Sequence, residues 1–257
     1  MSTTLLRVSF RVAADEAEVA RARLLSLVPD GFEEVDEGDA LELAAYVDEA
    51  AAARLLAAFP AARTAIVEPG WEEGWRRFHR PVLAGGVWLG PPWELPPDDV
   101  LAVVVDPGRA FGTGSHPTTR LCVEHLAQLP RGSLLDVGCG SGVVALAAAR
   151  LGFAPIVALD NDPVAIACTR ENASRNGVAL DAICADALTA ALRPASIAVV
   201  NILLPVVERV LARLETSIVV TSGYATSDSP TASGWRSLRR LELEGWAADA
   251  LVRRVPE

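Results

Sequence analysis

The run L-L-D-V-G-C-G-S-G-V-V-A-L-A-A-A-R-L-G, from Leu134 to Gly152, leaves few ways to arrange the chain around it. An apolar stretch of strand length runs directly into Gly138, Gly140 and Gly142, and a helical stretch opens at once behind them. Glycines let the backbone turn sharply and approach a ligand closely, where a Cβ would collide. In open parallel sheets, ligands bind at such carboxyl ends of strands. The surrounding sequence repeats the same alternation. Strands are expected over Leu101–Val105, Leu134–Val137, Ile156–Leu159, Leu180–Cys184, Ile197–Val200 and Ile218–Ser222. Helices are expected over Pro117–Gln128, Val143–Leu151, Pro163–Asn176 and Leu204–Leu214, and a hairpin-like pair around Glu244-Gly245 within Trp235–Arg254. Continuous apolar strands separated by helices imply a parallel sheet covered on both faces, a Rossmann-like α/β fold.

A glycine-rich turn alone is shared with dinucleotide-binding folds. Here the spacing is G-x-G-x-G, not G-x-G-x-x-G, and Asp136 stands two residues before the first glycine. A second acid, Asp160, ends the next strand in A-L-D-N-D-P, where a carboxylate can accept hydrogen bonds from both ribose hydroxyls of an adenosine. Asp162, not Asp160, suits the cap of the helix at Pro163. Asp136 together with the spacing favours S-adenosyl-L-methionine over a dinucleotide. Asp186, in C-A-D-A-L after the third strand, is placed either to reach the adenine or to cap a local turn.

The first 67 residues read as a separate α+β unit. Leu5–Val12 alternates as a half-buried strand does, and Asp15–Leu27 is a helix with Asp15 as cap and Val19, Leu24 and Leu27 among its apolar positions. Strands Phe32–Val35 and Ala40–Tyr46 flank the turn Glu37-Gly38-Asp39. Helix Asp48–Phe59 and strand Thr64–Val67 follow. The order β-α-β-β-α-β is that of a ferredoxin-like domain, which specifies no activity by itself. Residues 68–99 carry Trp71, Trp75, Trp88 and Trp93 among six prolines. They read as an interdomain linker with a short helix over Trp71–Phe78 and one strand over Val82–Leu89, the tryptophans serving as packing anchors. The remainder, 100–257, is expected to form an S-adenosyl-L-methionine-dependent methyltransferase domain around the glycine turn.

A net charge of −10 disfavours a nucleic-acid backbone as direct partner and suits a basic protein. Every one of the 23 basic residues is arginine, which excludes any mechanism that needs a catalytic lysine. Cys122, Cys139, Cys168 and Cys184 form no C-x-x-C pair and read as reduced core thiols, and His79, His116 and His125 have no metal-ligand spacing. No apolar run is long enough for a membrane span, and the first residues do not have the make-up of a secretory signal. A cytoplasmic monomer is the expectation.

The segment D-P-G-R-A-F-G-T-G-S-H-P-T-T, Asp106 to Thr119, and V-N-I-L-L, Val200 to Leu204, closely resemble the ribosomal protein L-eleven methyltransferase (PrmA) family. W-E-E-G-W-R-R-F-H and G-P-P-W-E upstream are similar to that family's linker. The resemblance covers most of the chain and is strongest from Trp71 to Leu204. It implies a first domain that recognises the substrate, a second that is catalytic, S-adenosyl-L-methionine as cofactor, and a basic ribosomal protein as substrate, methylated on lysine side chains or the N-terminus. The family's cofactor contacts would fall on Thr119, Gly138, Asp160 and Asn201, with Gly140 in the same turn. Phe111 and His116 would lie near the pocket, and Asn201 would face the transferring methyl. Two positions depart from the pattern. Arg109 stands where the family has an apolar residue, and the stretch after Ser222 is shorter than the family's, which includes a helix before the last two strands.

Two rivals remain at this level: a related methyltransferase acting on another protein or a small molecule, and a non-catalytic adenosylmethionine-binding protein. V-N-I-L stands where an N-P-P-Y motif would have indicated glutamine methylation.

Overall fold

The computed structural model describes residues 5–13, 16–28, 32–36, 40–67, 80–106 and 114–254. Asp15, the turn Glu37–Asp39, the helix expected over Trp71–Phe78, His79, and Arg109 and Phe111 lie outside those residues. The chain divides into two compact units, Met1–Phe78 and His79–Glu257.

In the first unit, β1 (Leu6–Ala13), α1 (Ala17–Leu27), β2 (Glu33–Asp36), β3 (Ala40–Val47), α2 (Glu49–Ala58) and β4 (Arg63–Ile66) follow in the expected order. The sheet runs β2-β3-β1-β4, with every pairing antiparallel. Alternate residues of the strands, Val8, Phe10, Leu43 and Ala45, meet Ala20 and Leu24 of α1 and Ala52 and Leu55 of α2 in one core. Val19, expected on the apolar side of α1, is 74% exposed. The buried stripe is Ala20, Leu24 and half-buried Leu27, spaced four and three residues apart, and Val19 sits about 100° around the helix from it. Asp48 caps α2 by accepting from the N–H of Ala51 at 2.7 Å.

The second unit starts earlier than composition suggests. Val82–Leu89 is not one strand but a hairpin, β5 (Val82–Ala84) and β6 (Val87–Gly90), turned by Gly85-Gly86, both at positive φ. With β7 (Leu101–Val104) these make a three-stranded sheet, β6 and β7 being parallel. Every residue of β6 is buried, and Ala84, Val87, Leu89 and Val103 share a core with the helices described next. Residues 80–99 are therefore part of the second unit's body, against the linker expected over 68–99, because their apolar side chains need its cover.

The large sheet contains β8 (Leu134–Val137), β9 (Ile156–Asp160), β10 (Asp181–Cys184), β11 (Ile197–Asn201), β12 (Ile218–Ala225), β13 (Trp235–Leu243) and β14 (Trp246–Arg253). Its order is β10-β9-β8-β11-β12-β14-β13, parallel from β10 to β12, with β14 antiparallel to both of its neighbours. The helices are α3 (Pro117–Gln128), α4 (Val143–Arg150), α5 (Pro163–Asn176) and α6 (Leu204–Leu211). Burial on both faces follows the strand period of two. Leu134, Ile197 and Val199 pack with α3, α4 and α5, whereas Leu135, Val137, Ala198 and Val200 pack with α6. Residues 226–234 pass from β12 to β13 without a helix, as the short polar stretch after Ser222 suggested. Of the four cysteines, Cys122 and Cys139 are buried, Cys168 is half-buried and Cys184, at the end of β10, is exposed rather than in the core.

Polar side chains of α5 fasten β7 to the body. The Asn176 amide accepts from the N–H of Val104 at 2.8 Å and donates to its carbonyl at 2.7 Å, as a neighbouring strand would. Asn172 accepts from the N–H of Asp106 at 3.1 Å and donates to the carbonyl of Ser141 at 3.0 Å. It thereby joins the glycine turn to the start of the loop that follows β7.

Candidate active site

The order of the large sheet reverses between β8 and β11, since β9 and β10 extend one way from β8 and β11 and β12 the other. Ligands of such sheets bind outside the carboxyl ends of the strands at that reversal. A cavity of about 620 Å³ lies there, within the usual range for a small-molecule site. Its lining crosses the strand ends in sheet order: Asp186 after β10, Asp160 at the end of β9, Gly138 after β8, Asn201 at the end of β11, Gly223 in β12 and Trp246 at the start of β14.

Gly138 has φ +74°, and a Cβ there would sit 2.4 Å from Cγ2 of Ile202. Gly223 has φ +99°, and a Cβ there would sit 2.1 Å from the carbonyl oxygen of Ile202. Ile202 is thus held between two positions without side chains, which lets the chain after β11 cross close to the glycine turn and to β12. The register of β12 on β14 shifts between Ser222 and Tyr224, so Gly223 is bulged out of the ladder.

Asp160 is anchored by backbone on both carboxylate oxygens. Oδ2 accepts from the N–H of Gly140 at 2.9 Å, and Oδ1 from the N–H of Asp162 at 3.0 Å. Each oxygen keeps a further lone pair, so the group can still accept from two hydroxyls. The helix cap belongs to Asp162, which accepts from the N–H of Val164 at 2.8 Å. For Asp186 both readings hold, because it lines the cavity while Oδ1 accepts from the N–H of Leu188 at 2.8 Å.

Asp136 serves a different end. It faces the α4 side of β8, is 1% exposed, and accepts from the N–H of Ala145 at 3.1 Å. Ala145 is the third residue of α4, whose first-turn N–H groups have no partner within the helix. Burial pushes the Asp136 carboxyl up to about 7; the Ala145 N–H pulls it down and the charge of Asp160 pushes it further up. Asp136 is a buried support of the turn and does not line the cavity.

Gly138, Gly140, Asp160, Asp186 and Asn201 all line the cavity. Thr119 does not. It is 2% exposed in the first turn of α3, and its neighbour Thr118 lines the cavity instead. His116 also lines it, as the N-cap of α3. Its Nδ1 accepts from the N–H of Thr118 at 3.4 Å and lies 2.8 Å from Thr118 Oγ1. The Thr118 contacts engage Nδ1 at the start of α3. Burial lowers the His116 pKa below its ordinary value, against the pull of Glu244.

Sequence reasoning missed Ile202, Leu203, Val206, Gly223 and Trp246 as lining residues. For Gly223 and Trp246 the signals were present, a glycine after an apolar strand and an aromatic directly after the Glu244-Gly245 turn.

The donor set fits S-adenosyl-L-methionine. Carboxylate acceptors stand at one end, and no arginine is among the described lining residues to repel a sulfonium. Asp160 would hold the ribose, Asp186 would lie toward the adenine, and Gly138 and Gly140 would border the methionine portion.

Comparisons with known proteins identify relatives of this chain. A protein from Symbiobacterium thermophilum named ribosomal protein L11 methyltransferase is 36% identical over 228 residues, 82% of this chain and 75% of that one. One of the same name from Nitrosococcus oceani is 45% identical over 125 residues, 47% of this chain and 43% of that one. A crystal structure of a ribosomal protein L11 methylase from Lactobacillus delbrueckii subsp. bulgaricus aligns with TM-score 0.62 and 25% identity, covering 69% of this chain and 100% of that one. Residues 17–229 match the family described as ribosomal protein L11 methyltransferase (PrmA), and the chain belongs to that family.

Proposed function

We propose that this chain is a protein methyltransferase that uses S-adenosyl-L-methionine to methylate amino groups of ribosomal protein L11, on lysine side chains or the N-terminus. The observation that carries this reading is the single cavity that collects Asp186, Asp160, Gly138 and Asn201 along adjacent strand ends in a chain of this family. The first unit is the substrate-recognition part, and the chain works as a cytoplasmic monomer without direct contact to nucleic acid.

When bound, the cofactor supplies a methyl group on a sulfonium sulfur, and the C–S electron pair returns to that sulfur as the new N–C bond forms. An ammonium has no lone pair, and an unperturbed lysine has a pKa of about 10.4, so a proton must leave first. Asn201 orients the neutral amine through its side-chain carbonyl, and bulk water takes the proton. Positioning in a site that excludes water supplies the acceleration.

The test is transfer of labelled methyl from S-adenosylmethionine into purified ribosomal protein L11, repeated on whole-cell lysate. Labelled L11 is the expected result. Labelling of another lysate band with L11 untouched would overturn the substrate, and cofactor binding without any transfer would leave only a binding protein.

A further inference from the structure

At the end of the cavity away from Asp160 and Asp186, the lining residues His116 and Trp246 meet, with an ion pair beside them. His116 and Arg120 lie one turn apart on α3, and Glu244 and Trp246 stand on either side of Gly245 in the β13–β14 turn. The His116 and Trp246 rings meet edge to face, with centroids 4.9 Å apart and planes at 66°. Arg120 Nη1 donates to Glu244 Oε1 at 3.0 Å. Glu244 has φ 51°, a left-handed conformation that a residue with a Cβ adopts at a cost. The turn is held in that conformation with Glu244 on Arg120 and Trp246 on His116.

Trp246 is half-buried and belongs to neither core cluster of its unit. Trp235, at the start of the neighbouring strand, shows the contrast. It is 5% exposed, packs in the core and donates its indole N–H to the carbonyl of Leu211 at 3.1 Å. The Trp246 side chain lines the cavity instead. From β9 to β14 there are four interstrand intervals, about 19 Å at about 4.8 Å each, so Asp160 and Trp246 receive different parts of the reacting pair. Asn201 stands between them. Leu203, 73% exposed, also lines the cavity.

We propose that Trp246, braced by His116 and by the Arg120–Glu244 ion pair, is the wall that selects the acceptor: an alkyl chain ending in an amine. This rests on the methyltransferase reading and adds the part of the site that receives the substrate. An indole face attracts a cation and packs against methylene groups, so it suits the chain both as an arriving ammonium and as a neutral amine. Its surroundings are compatible with a cation, since the described lining carries carboxylates and no arginine and burial disfavours the charged form of His116. Trp246 is a specificity-determining residue, and Arg120 and Glu244 act through it as positioning residues.

The test compares Trp246→Leu, Trp246→Phe, Arg120→Glu, Glu244→Arg and the double charge swap in the full chain. Titration calorimetry gives the Kd of S-adenosylmethionine, and of ribosomal protein L11 in the presence of S-adenosylhomocysteine; methyl transfer gives KM and kcat. Trp246→Leu should weaken L11 binding and raise its KM about tenfold while changing the cofactor Kd less than about twofold, and Trp246→Phe should recover most of the loss. Each single charge reversal should raise the L11 KM by about threefold, and the double swap should restore it. An equal rise in cofactor Kd, or L11 binding unchanged in both Trp246 variants, overturns the proposal. Failure of the double swap removes the positioning role of Arg120 and Glu244. If Trp246→Leu does not fold, Trp246→Met against the wild type carries the comparison, with unchanged L11 Kd and KM counting against the proposal. Absence of transfer to L11 by the wild type defeats the functional reading itself, whereas an active wild type with silent Trp246 variants defeats only this inference.

Discussion

Asn201 and Asp160 occupy different strand ends in the same cavity, and their variants should fail in opposite ways. Asn201→Ala should lower kcat by about a hundredfold and leave the S-adenosylmethionine Kd within about threefold, since orientation of the amine is lost and the nucleoside end is untouched. Equal losses in both would make Asn201 a binding residue. Asp160→Ala should instead raise the cofactor Kd by about a hundredfold, because charge-assisted hydrogen bonds to two hydroxyls go with the carboxylate. The same change strips the N–H groups of Gly140 and Asp162 of their partner, so thermal stability should fall as well. Asp136 can be tested by pH. Its folded pKa, about 7, is above the ordinary 3.8. Between those values the folded chain binds the proton more tightly than the unfolded one, so this group's contribution to stability falls as pH rises from about 4 to about 7 and is level above that. Asp136→Asn keeps an acceptor for Ala145 and cannot ionise. Measured by urea unfolding, the variant should gain on the wild type across that window, by on the order of 4 kcal/mol at about 1.4 kcal/mol per pH unit. A pH-independent difference would show that Asp136 ionises as an ordinary carboxylate.

At the level of elements, α5 holds the site as much as the strands do. Asn172 joins the carbonyl of Ser141 to the N–H of Asp106, and Thr169 donates to the carbonyl of Gly140 at 2.9 Å. Asn172→Ala should cost about 2 kcal/mol of stability, because it leaves a buried carbonyl and N–H without their partner, and it should raise the cofactor Kd. Unchanged affinity at reduced stability would restrict Asn172 to a structural role. These residues also mark where sequence reading stopped. The elements from β8 to α6 were legible because their strands and helices carry unbroken apolar patterns ended by glycine, proline or an acidic cap, and Gly138, Gly140, Asp160 and Asn201 all stand at such ends. Asn172 and Asn176 lie within a helix, and nothing local distinguishes an amide that pairs with a distant strand from one that faces water. Trp246 was read only as a strand residue, because its role depends on β14 lying beside β12, a pairing between strands that are not consecutive. The hairpin at Gly85-Gly86 was missed for another reason: prolines and tryptophans on both sides suggested a connection, although the glycine pair is itself a turn signal.

For the whole molecule, a charge of −10 together with the basic substrate proposed above makes the encounter electrostatic. Part of the acidity of the first unit is already neutralised within its own sheet. Among its acids, Glu42 and Glu33 pair with Arg7 at 3.0 Å and 3.5 Å, and Glu34 pairs with Arg21 at 2.5 Å. Attraction therefore comes from the net field more than from these side chains one by one. The KM for ribosomal protein L11 should rise severalfold when ionic strength increases from about 0.05 M to about 0.5 M, with the cofactor Kd nearly constant. A KM indifferent to salt would place substrate recognition in apolar contacts instead.

The position of Ile202 between Gly138 and Gly223 has a genetic consequence. Gly138→Ala and Gly223→Ala should both damage the enzyme, yet only the first should yield to second-site suppression. Its added methyl would meet the Ile202 side chain, so Ile202→Ala should open the space and return part of the lost function. The methyl at Gly223 would meet the Ile202 carbonyl, which every amino acid carries, and no substitution at 202 can remove it. A selection for revertants should therefore recover changes at 202 from one parent and only true reversion from the other.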